Sequence, residues 1–199
     1  MNLPNKLTVF RIILVPLMVI IPFIPIPGDF FQIPYTWIII DIIFIIASIT
    51  DKLDGYLARS KNQITTFGKF LDPIADKILV LAAMIMLVEA GRLPAWIPII
   101  VLFREFVVSG YRLIAVENSG KVIAASIWGK LKTATQMVGI GFALVDMYGF
   151  AGFINGNVTG LYLAINIIST VLLSISVIAT IFSGWDYIKG GKDLLKNTK

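Results

Sequence analysis

The sequence predicts an all-α membrane protein built as one bundle of six transmembrane helices. Of its 199 residues, 57% are hydrophobic and only 15% are charged, whereas a soluble domain carries about 25% charged residues. Six apolar stretches approach or reach the roughly 17–25 residues that a helix needs to cross a bilayer. The connections between them are short, so we expect residues 1–199 to form a single domain.

Each predicted span is an apolar run that ends at a helix-breaking or charged segment. The first run carries Pro16 and Pro22 and lacks a small-residue cleavage site, which favours a retained helix over a signal peptide. The basic segment from Gly184 to Lys199 is expected to form a short tail, as a helix on the membrane surface. The predicted spans are 7–24, 37–59, 67–89, 95–116, 123–147 and 161–182.

The positions of the basic residues predict the orientation. With the N-terminal segment in the cytoplasm, all of the 17 Lys and Arg residues except Arg92 fall on or near the cytoplasmic side. The net charge of +5 then reflects attraction to lipid headgroups, and nucleic acid is not expected as a partner. The chain shows no targeting presequence, so we expect a multi-pass protein of a bacterial cell membrane with a cytoplasmic active site.

The absence of cysteine and histidine narrows the chemistry. It excludes disulfides, thiolate nucleophiles, Cys/His zinc sites and an imidazole base. Any bound metal must therefore be a hard cation with oxygen ligands. Any general base must be a carboxylate, a lysine or a tyrosine.

Four aspartates form the main candidate site, at the junction of the second and third predicted helices. At 3.6 residues per turn, each pair falls on one face of its helix, and the short connection makes the helices antiparallel neighbours whose acidic faces meet. One such aspartate alone is better explained as a helix-end charge. Together they would repel one another unless divalent cations were bound, and all-oxygen ligation favours two Mg²⁺ or Mn²⁺ ions. The four are Asp51, Asp54, Asp72 and Asp76.

Small and basic residues accompany the aspartates. Gly55 and Gly68 leave space for a phosphate or nucleotide to approach the backbone, and Arg59 can pair with phosphate. The complete pattern, Asp-x2-Asp-Gly-x2-Ala-Arg-x8-Gly-x3-Asp-x3-Asp, resembles the signature of the CDP-alcohol phosphotransferase family. That resemblance implies a six-helix membrane enzyme that moves a phosphatidyl or similar group from a CDP-linked donor to an alcohol and releases CMP.

The resemblance also implies roles for individual residues. The four aspartates would bind both metal ions, and Asp76 would in addition be the catalytic base that deprotonates the acceptor. The residues expected to bind the CDP donor are Asn5, Thr8, Asp51, Asp54, Gly55, Ala58, Arg59, Thr65, Gly68 and Asp72.

The stretch from Phe103 to Gln136 is rich in basic residues, and it indicates which kind of alcohol accepts the transferred group. Several of its cations lie inside apolar spans, where they need an anionic partner, although lysines near a helix end can instead extend toward headgroups. A positive pocket beside the aspartates favours an acceptor that carries a phosphate. The residues expected to bind that phosphate are Arg11, Arg104, Ser109, Arg112, Lys130 and Lys132.

Three segments, 5–11, 104–110 and 129–133, resemble the phosphatidylglycerophosphate synthase branch of the family. This implies transfer from CDP-diacylglycerol to sn-glycerol 3-phosphate, with membrane lipids as surroundings and a homodimer as the usual assembly. Transfer to inositol phosphate, serine or phosphatidylglycerol remains open. A divalent-cation transporter is disfavoured because so many cations flank the acidic site, and a non-catalytic scaffold would not need facing carboxylates.

Overall fold

A computed structural model describes residues 2–60, 66–119, 126–156 and 158–190, which form a helical bundle. Its six helices are α1 (Leu3–Ile20), α2 (Tyr35–Ser60), α3 (Thr66–Glu89), α4 (Trp96–Ser119), α5 (Ile127–Val145) and α6 (Gly160–Gly190). Short 3-10 turns cover Ile21–Phe23 and Gly152–Asn155. The predicted helical bundle is confirmed, with one addition: between α1 and α2, β1 (Asp29–Phe30) pairs antiparallel with β2 (Ile33–Pro34).

The outside of the bundle is strongly apolar. Within the described residues, Asn5–Phe23 and Gly160–Lys189 are long and apolar enough to cross a membrane. Large apolar side chains on other elements also face outward, among them Phe103 and Ile127, which are 70% and 82% exposed. Soluble monomers rarely leave contiguous apolar surface of this kind uncovered, so the exterior suits contact with lipid.

The core runs along the middle of the bundle. Helix α1 packs against α2 and α3, α5 packs most extensively against α6, and α6 also contacts α4. The close approach of α5 to α6 depends on Gly139, because a Cβ there would lie 3.2 Å from Leu173. The largest fully buried apolar side chains include Met18, Phe44, Leu79, Leu87 and Leu144.

Two features differ from the sequence predictions. Helices α2 and α3 touch only over a small area, because α1 lies against both. Helix α6 also does not end at residue 182 but continues to Gly190, so the predicted separate tail from Gly184 is wrong over its first turns. The extension is stabilised by packing, since Tyr187 is buried and bonds to Arg112 on α4. Residues 191–199 lie outside the described chain.

Polar side chains are buried at both ends of the bundle. We call the end where α1, α3 and α5 begin the charged end, and the other the opposite end. At the opposite end, Asp146 accepts hydrogen bonds from Asn166 at 2.6 Å and Ser169 at 2.9 Å. Arg92 donates to the Leu144 carbonyl at 3.0 Å. These hydrogen bonds connect the end of α5 to α6 and to the turn before α4.

Candidate functional site

Arg11 lies at the centre of the charged end. Its side chain is fully buried, and Nη1 lies 2.8 Å from Asp51 Oδ1, while Nη2 donates to Asp54 Oδ2. One turn earlier, Thr8 Oγ1 donates to Asp72 Oδ1 at 2.6 Å. Two side chains of α1 therefore join the acidic faces of α2 and α3, which contact each other only over a small area.

The four aspartates form one electrostatic unit. Asp51 lies close enough to Asp54, Asp72 and Asp76 for the carboxylates to repel one another. In the described residues, Arg11 is the one cation that forms ion pairs with these aspartates, and Lys132 acts on Asp76 from the other side, so the four negative charges are only partly offset. The cluster is therefore net negative and attracts further cations.

Asp76 has an unsatisfied oxygen. Its Oδ1 is buried, and no hydrogen-bond partner for it exists among the described residues. Buried polar atoms without partners are rare, and a bound ion, a water or a catalytic role accounts for such atoms in proteins. An all-carboxylate donor set with a free buried oxygen fits a hard divalent cation such as Mg²⁺ or Mn²⁺. Within the described residues, three or more acidic side chains do not converge as metal ligands in this conformation, where Arg11 holds Asp51 and Asp54.

The predicted donor-binding residues are brought together in part. Asn5 and Thr8 are buried on the first turns of α1, beside the aspartates. Gly55 lies one residue after Asp54 on α2, and Gly68 is buried near the start of α3. The side chains of Ala58 and Arg59, and the whole of Thr65, lie outside the part of the chain that the structure describes.

Three of the six predicted acceptor-binding residues, Arg104, Ser109 and Lys132, lie around Glu105 on α4. Lys132 Nζ lies 2.5 Å from Glu105 Oε1, and Arg104 Nη1 lies 2.9 Å from the same oxygen. Lys77 Nζ approaches Glu105 Oε2 at 3.5 Å and donates to Ser109 Oγ at 2.7 Å. Three cations thus share one carboxylate, next to the aspartate cluster.

The two arginines of this predicted set turn toward α6. Arg104 Nη2 also donates to Ser183 Oγ, and Arg112 Nη2 donates to the Tyr187 hydroxyl at 2.8 Å. Both guanidinium groups lie within 6 Å of the Tyr187 ring, at 5.9 and 5.4 Å. The structure therefore divides the predicted set into a group at Glu105 and a group at Tyr187.

Two further members of that set lie elsewhere. Lys130 is exposed on the first turn of α5. Arg11 is separated from the others by its ion pairs with Asp51 and Asp54, a placement that favours holding the aspartates over binding an acceptor phosphate.

Sequence reasoning missed several residues of the charged end. Lys77 directly follows Asp76 within an apolar span, which was a signal that it needs an anionic partner. Glu105 is an acidic residue in a basic stretch, and its burial among cations could have been suspected. Ser183 and Tyr187 fell at or beyond the predicted end of the sixth span, so nothing placed them near the site.

Two cavities adjoin the site. A small one of about 20 Å³, lined by Asp76, Lys77, Glu105 and Lys132 among others, lies between α3, α4 and α5. A larger one of about 360 Å³ runs between α2 and α5 and is open to the outside. Apart from Asp41, Ser48 and Lys52, its walls are apolar or glycine.

Comparisons with known proteins cover nearly the whole chain. Residues 1–182 match the sequence profile of the CDP-alcohol phosphatidyltransferase family. The chain is 40% identical over 203 residues to a CDP-diacylglycerol–glycerol-3-phosphate 3-phosphatidyltransferase of Bacillus subtilis (strain 168), covering 99% of this chain and 98% of that protein. A protein of the same name from Haemophilus influenzae is 38% identical over 98% of this chain and 95% of its own length. A probable phosphatidylglycerophosphate synthase of Mycobacterium tuberculosis is 34% identical over 94% and 80%.

Proposed function

The chain belongs to the CDP-alcohol phosphatidyltransferase family, and from that premise we propose that it makes phosphatidylglycerophosphate. It transfers the phosphatidyl group of CDP-diacylglycerol to sn-glycerol 3-phosphate and releases CMP, the reaction named for its curated relatives. This is phospholipid biosynthesis by a transferase. The family generally depends on divalent cations.

The main support for this proposal is that acidic residues lie on one side of Asp76 and basic residues on the other. On one side lie Asp51, Asp54 and Asp72, a net negative region that suits metal ions and the diphosphate they accompany. On the other lie Lys132 and the remaining cations around Glu105, which suit an anionic acceptor. Asp76 lies between the two regions, where an acceptor hydroxyl and a donor phosphorus would meet.

The chemistry is an in-line displacement at phosphorus. The acceptor hydroxyl attacks the phosphatidyl phosphorus, a new P–O bond forms, and the P–O bond to CMP breaks. Asp76 accepts the hydroxyl proton, because it lines the small cavity together with Lys77 and Lys132, on the acceptor side of the aspartates. Two divalent cations held by Asp51, Asp54, Asp72 and Asp76 would neutralise the diphosphate charge and make CMP a better leaving group.

The groove between α2 and α5 supports a lipid donor. It is mostly apolar and opens to the side of the bundle, and Lys52 at its rim is the neighbour of Asp51. An acyl chain in the groove would leave the diphosphate at the aspartates. Gly141 on its α5 wall keeps the groove wide opposite Asp41.

The proposal also covers the location of the protein and its assembly. We propose six membrane-spanning helices in a cell membrane, with the charged end on the cytoplasmic side and a homodimer as the assembly. Among the residues whose side chains the structure describes, Arg92 is the one basic residue at the opposite end, which supports this orientation.

Purified protein in detergent, with CDP-diacylglycerol and Mg²⁺ or Mn²⁺, tests the proposal against a panel of alcohols. We expect CMP release with sn-glycerol 3-phosphate, and no release with serine, inositol phosphate or phosphatidylglycerol. CMP release with another acceptor but not with sn-glycerol 3-phosphate would refute the proposed acceptor, while the proposed reaction class would stand. Full activity in excess EDTA would refute the metal requirement.

A further inference from the structure

Lys77 is the accessible cation of the Glu105 group. Its side chain is 34% exposed, whereas those of Lys132 and Arg104 are 8% and 11% exposed. It follows Asp76 directly on α3, and both residues line the small cavity between α3, α4 and α5. At about 20 Å³ the cavity has room for roughly one water, so a phosphate would bind over its opening, where Lys77 is the most exposed of the three cations.

The contacts of Lys77 leave it able to bind such an anion. An ammonium group has three N–H donors. One is used on Ser109 Oγ at 2.7 Å, and the approach to Glu105 Oε2 is long, at 3.5 Å. Lys132 is instead held tightly, at 2.5 Å from Glu105 Oε1. The two lysines thus differ in role: Lys132 is fixed by Glu105, and Lys77 is only loosely held by it.

The charge around Glu105 also favours the binding of an anion. Lys77, Arg104 and Lys132 together carry three positive charges against the one carboxylate that they contact. Asp76 interacts with Lys132 through space and offsets part of the excess. A phosphate, with charge near −2 and oxygens that accept several hydrogen bonds, supplies the missing balance.

We propose that Lys77 binds the phosphate of the acceptor and that Glu105 is the positioning residue that holds Lys77 and Lys132 around that phosphate. This rests on the proposed function, because it assigns residues to the acceptor half of the same site. The short three-carbon chain of glycerol 3-phosphate would let one end lie on Lys77 while its hydroxyl reaches Asp76. Ser109, which now accepts from Lys77, orients the ammonium toward the cavity.

Steady-state kinetics on Lys77→Met and Lys77→Arg test the ligand role. We expect Lys77→Met to raise the KM for sn-glycerol 3-phosphate about tenfold or more while the KM for CDP-diacylglycerol stays within about twofold, since a charge-assisted hydrogen bond to the acceptor alone is lost. Lys77→Arg should recover most of the loss. The matched control is Lys6→Met, which removes an exposed lysine at the same end of the bundle. Equal acceptor KM values in Lys77→Met and wild type would overturn the assignment.

A double-mutant cycle tests the positioning role of Glu105. Glu105→Gln keeps the shape and removes the charge, so it should also raise the acceptor KM selectively. If Glu105 acts partly through Lys77, the acceptor KM of the Glu105→Gln, Lys77→Met double variant should rise by less than the product of the increases in the two single variants. Strictly multiplicative effects, or an equal rise in donor KM, would contradict the role. Should Glu105→Gln fail to fold, Lys77→Met and Lys77→Arg still decide the ligand assignment.

A binding measurement separates this inference from the proposed function. Glycerol 3-phosphate or inorganic phosphate should raise the melting temperature of the wild type without any donor present, and Lys77→Met should lose that shift. If the wild type binds phosphate through Lys77 but releases no CMP with glycerol 3-phosphate, the proposed function fails and the phosphate site stands. If the wild type turns over normally and Lys77→Met binds phosphate equally well, only the present inference fails.

Discussion

The two ends of the bundle both bury charged side chains, and they differ in how completely those side chains are paired. At the opposite end, Arg92, Asp146, Asn166 and Ser169 have no buried side-chain nitrogen or oxygen without a hydrogen-bond partner. At the charged end, Asp76 Oδ1, Arg11 Nε and Arg104 Nε are buried and lack such partners among the described residues. A saturated network stabilises the fold, whereas an unsatisfied one retains capacity for a ligand.

Arg92 illustrates how a buried charge is paired at the opposite end. Its guanidinium lies 3.9 Å from the centre of the Trp37 ring. Burial lowers the pKa of Arg92 to about 10, and the Asp146 carboxylate opposes that shift, so the cation persists at neutral pH. At the opposite end, the buried charges of Arg92 and Asp146 therefore oppose each other within the protein. The charged end instead combines an acidic cluster around Asp51 with a basic group around Glu105.

The largest effect should come from Asp76→Asn. Loss of the proposed base should lower kcat about 1,000-fold, within the range for general base catalysis. Removal of one of four repelling carboxylates should leave the melting temperature equal or higher. Turnover assays and thermal denaturation in detergent measure the two quantities. Wild-type turnover in this variant would exclude Asp76 from the mechanism.

Asp146→Ala should show the reverse behaviour. The change leaves Asn166 and Ser169 without their shared acceptor, so the protein should lose about 3 kcal/mol of stability, as for hydrogen bonds to a buried charge. The specific activity of the folded fraction should be unchanged. A loss of kcat without a fall in melting temperature would show that the opposite end is not merely structural.

Gly141→Phe should affect the donor alone. A Cβ at this position meets only Asp41 Oδ1, at 3.7 Å, so the backbone can accept a side chain that fills the groove. We expect the KM for CDP-diacylglycerol to rise about tenfold, equivalent to roughly 1.4 kcal/mol, while the acceptor KM stays constant. Gly110→Phe is the control, because a Cβ there meets nothing within 4 Å and the residue does not line the groove. Equal donor KM values in the two variants would remove the groove from the donor site.

Trp37→Leu should have the smallest effect. It removes the ring beneath Arg92 and should lower stability by about 1 kcal/mol, the scale of a cation–π contact. Trp37→Phe, which keeps an aromatic face, should recover part of this loss. Kinetic constants should not change in either variant. A change in the acceptor KM would indicate coupling between the two ends.

Local pattern predicted most of the fold. The bounds of α2 and α3 were predicted to within about two residues, because Pro, Gly and charged segments end each apolar run. Helical periodicity also placed each pair of aspartates on one face. It could not predict that α1 joins those faces, since periodicity tells which side of a helix is polar but not which helix lies opposite.

Other features depended on contacts distant in sequence. Ser183 and Tyr187 extend α6 because they bond to arginines of α4, and nothing in the local sequence distinguishes this from a polar tail. Arg11 was grouped with the acceptor-binding residues because of its charge and because residues 5–11 resemble the phosphatidylglycerophosphate synthase branch. Its partners, Asp51 and Asp54, became evident only from the three-dimensional arrangement.

The burial of Arg11 has a consequence for biogenesis. Arg11 lies well inside α1, and its nearest ion-pair partners on α2 come 40 or more residues later in the chain, Asp54 being 43 positions away. In the proposed membrane arrangement, an arginine within the apolar part of α1 opposes insertion, by an amount that reaches about 2.5–3.5 kcal/mol only at the centre of a span. The first two helices are therefore expected to enter the membrane as a pair, with each supplying the countercharge of the other. Substitutions of Asp51 or Asp54 should accordingly reduce the yield of inserted protein, before any enzymatic step is reached.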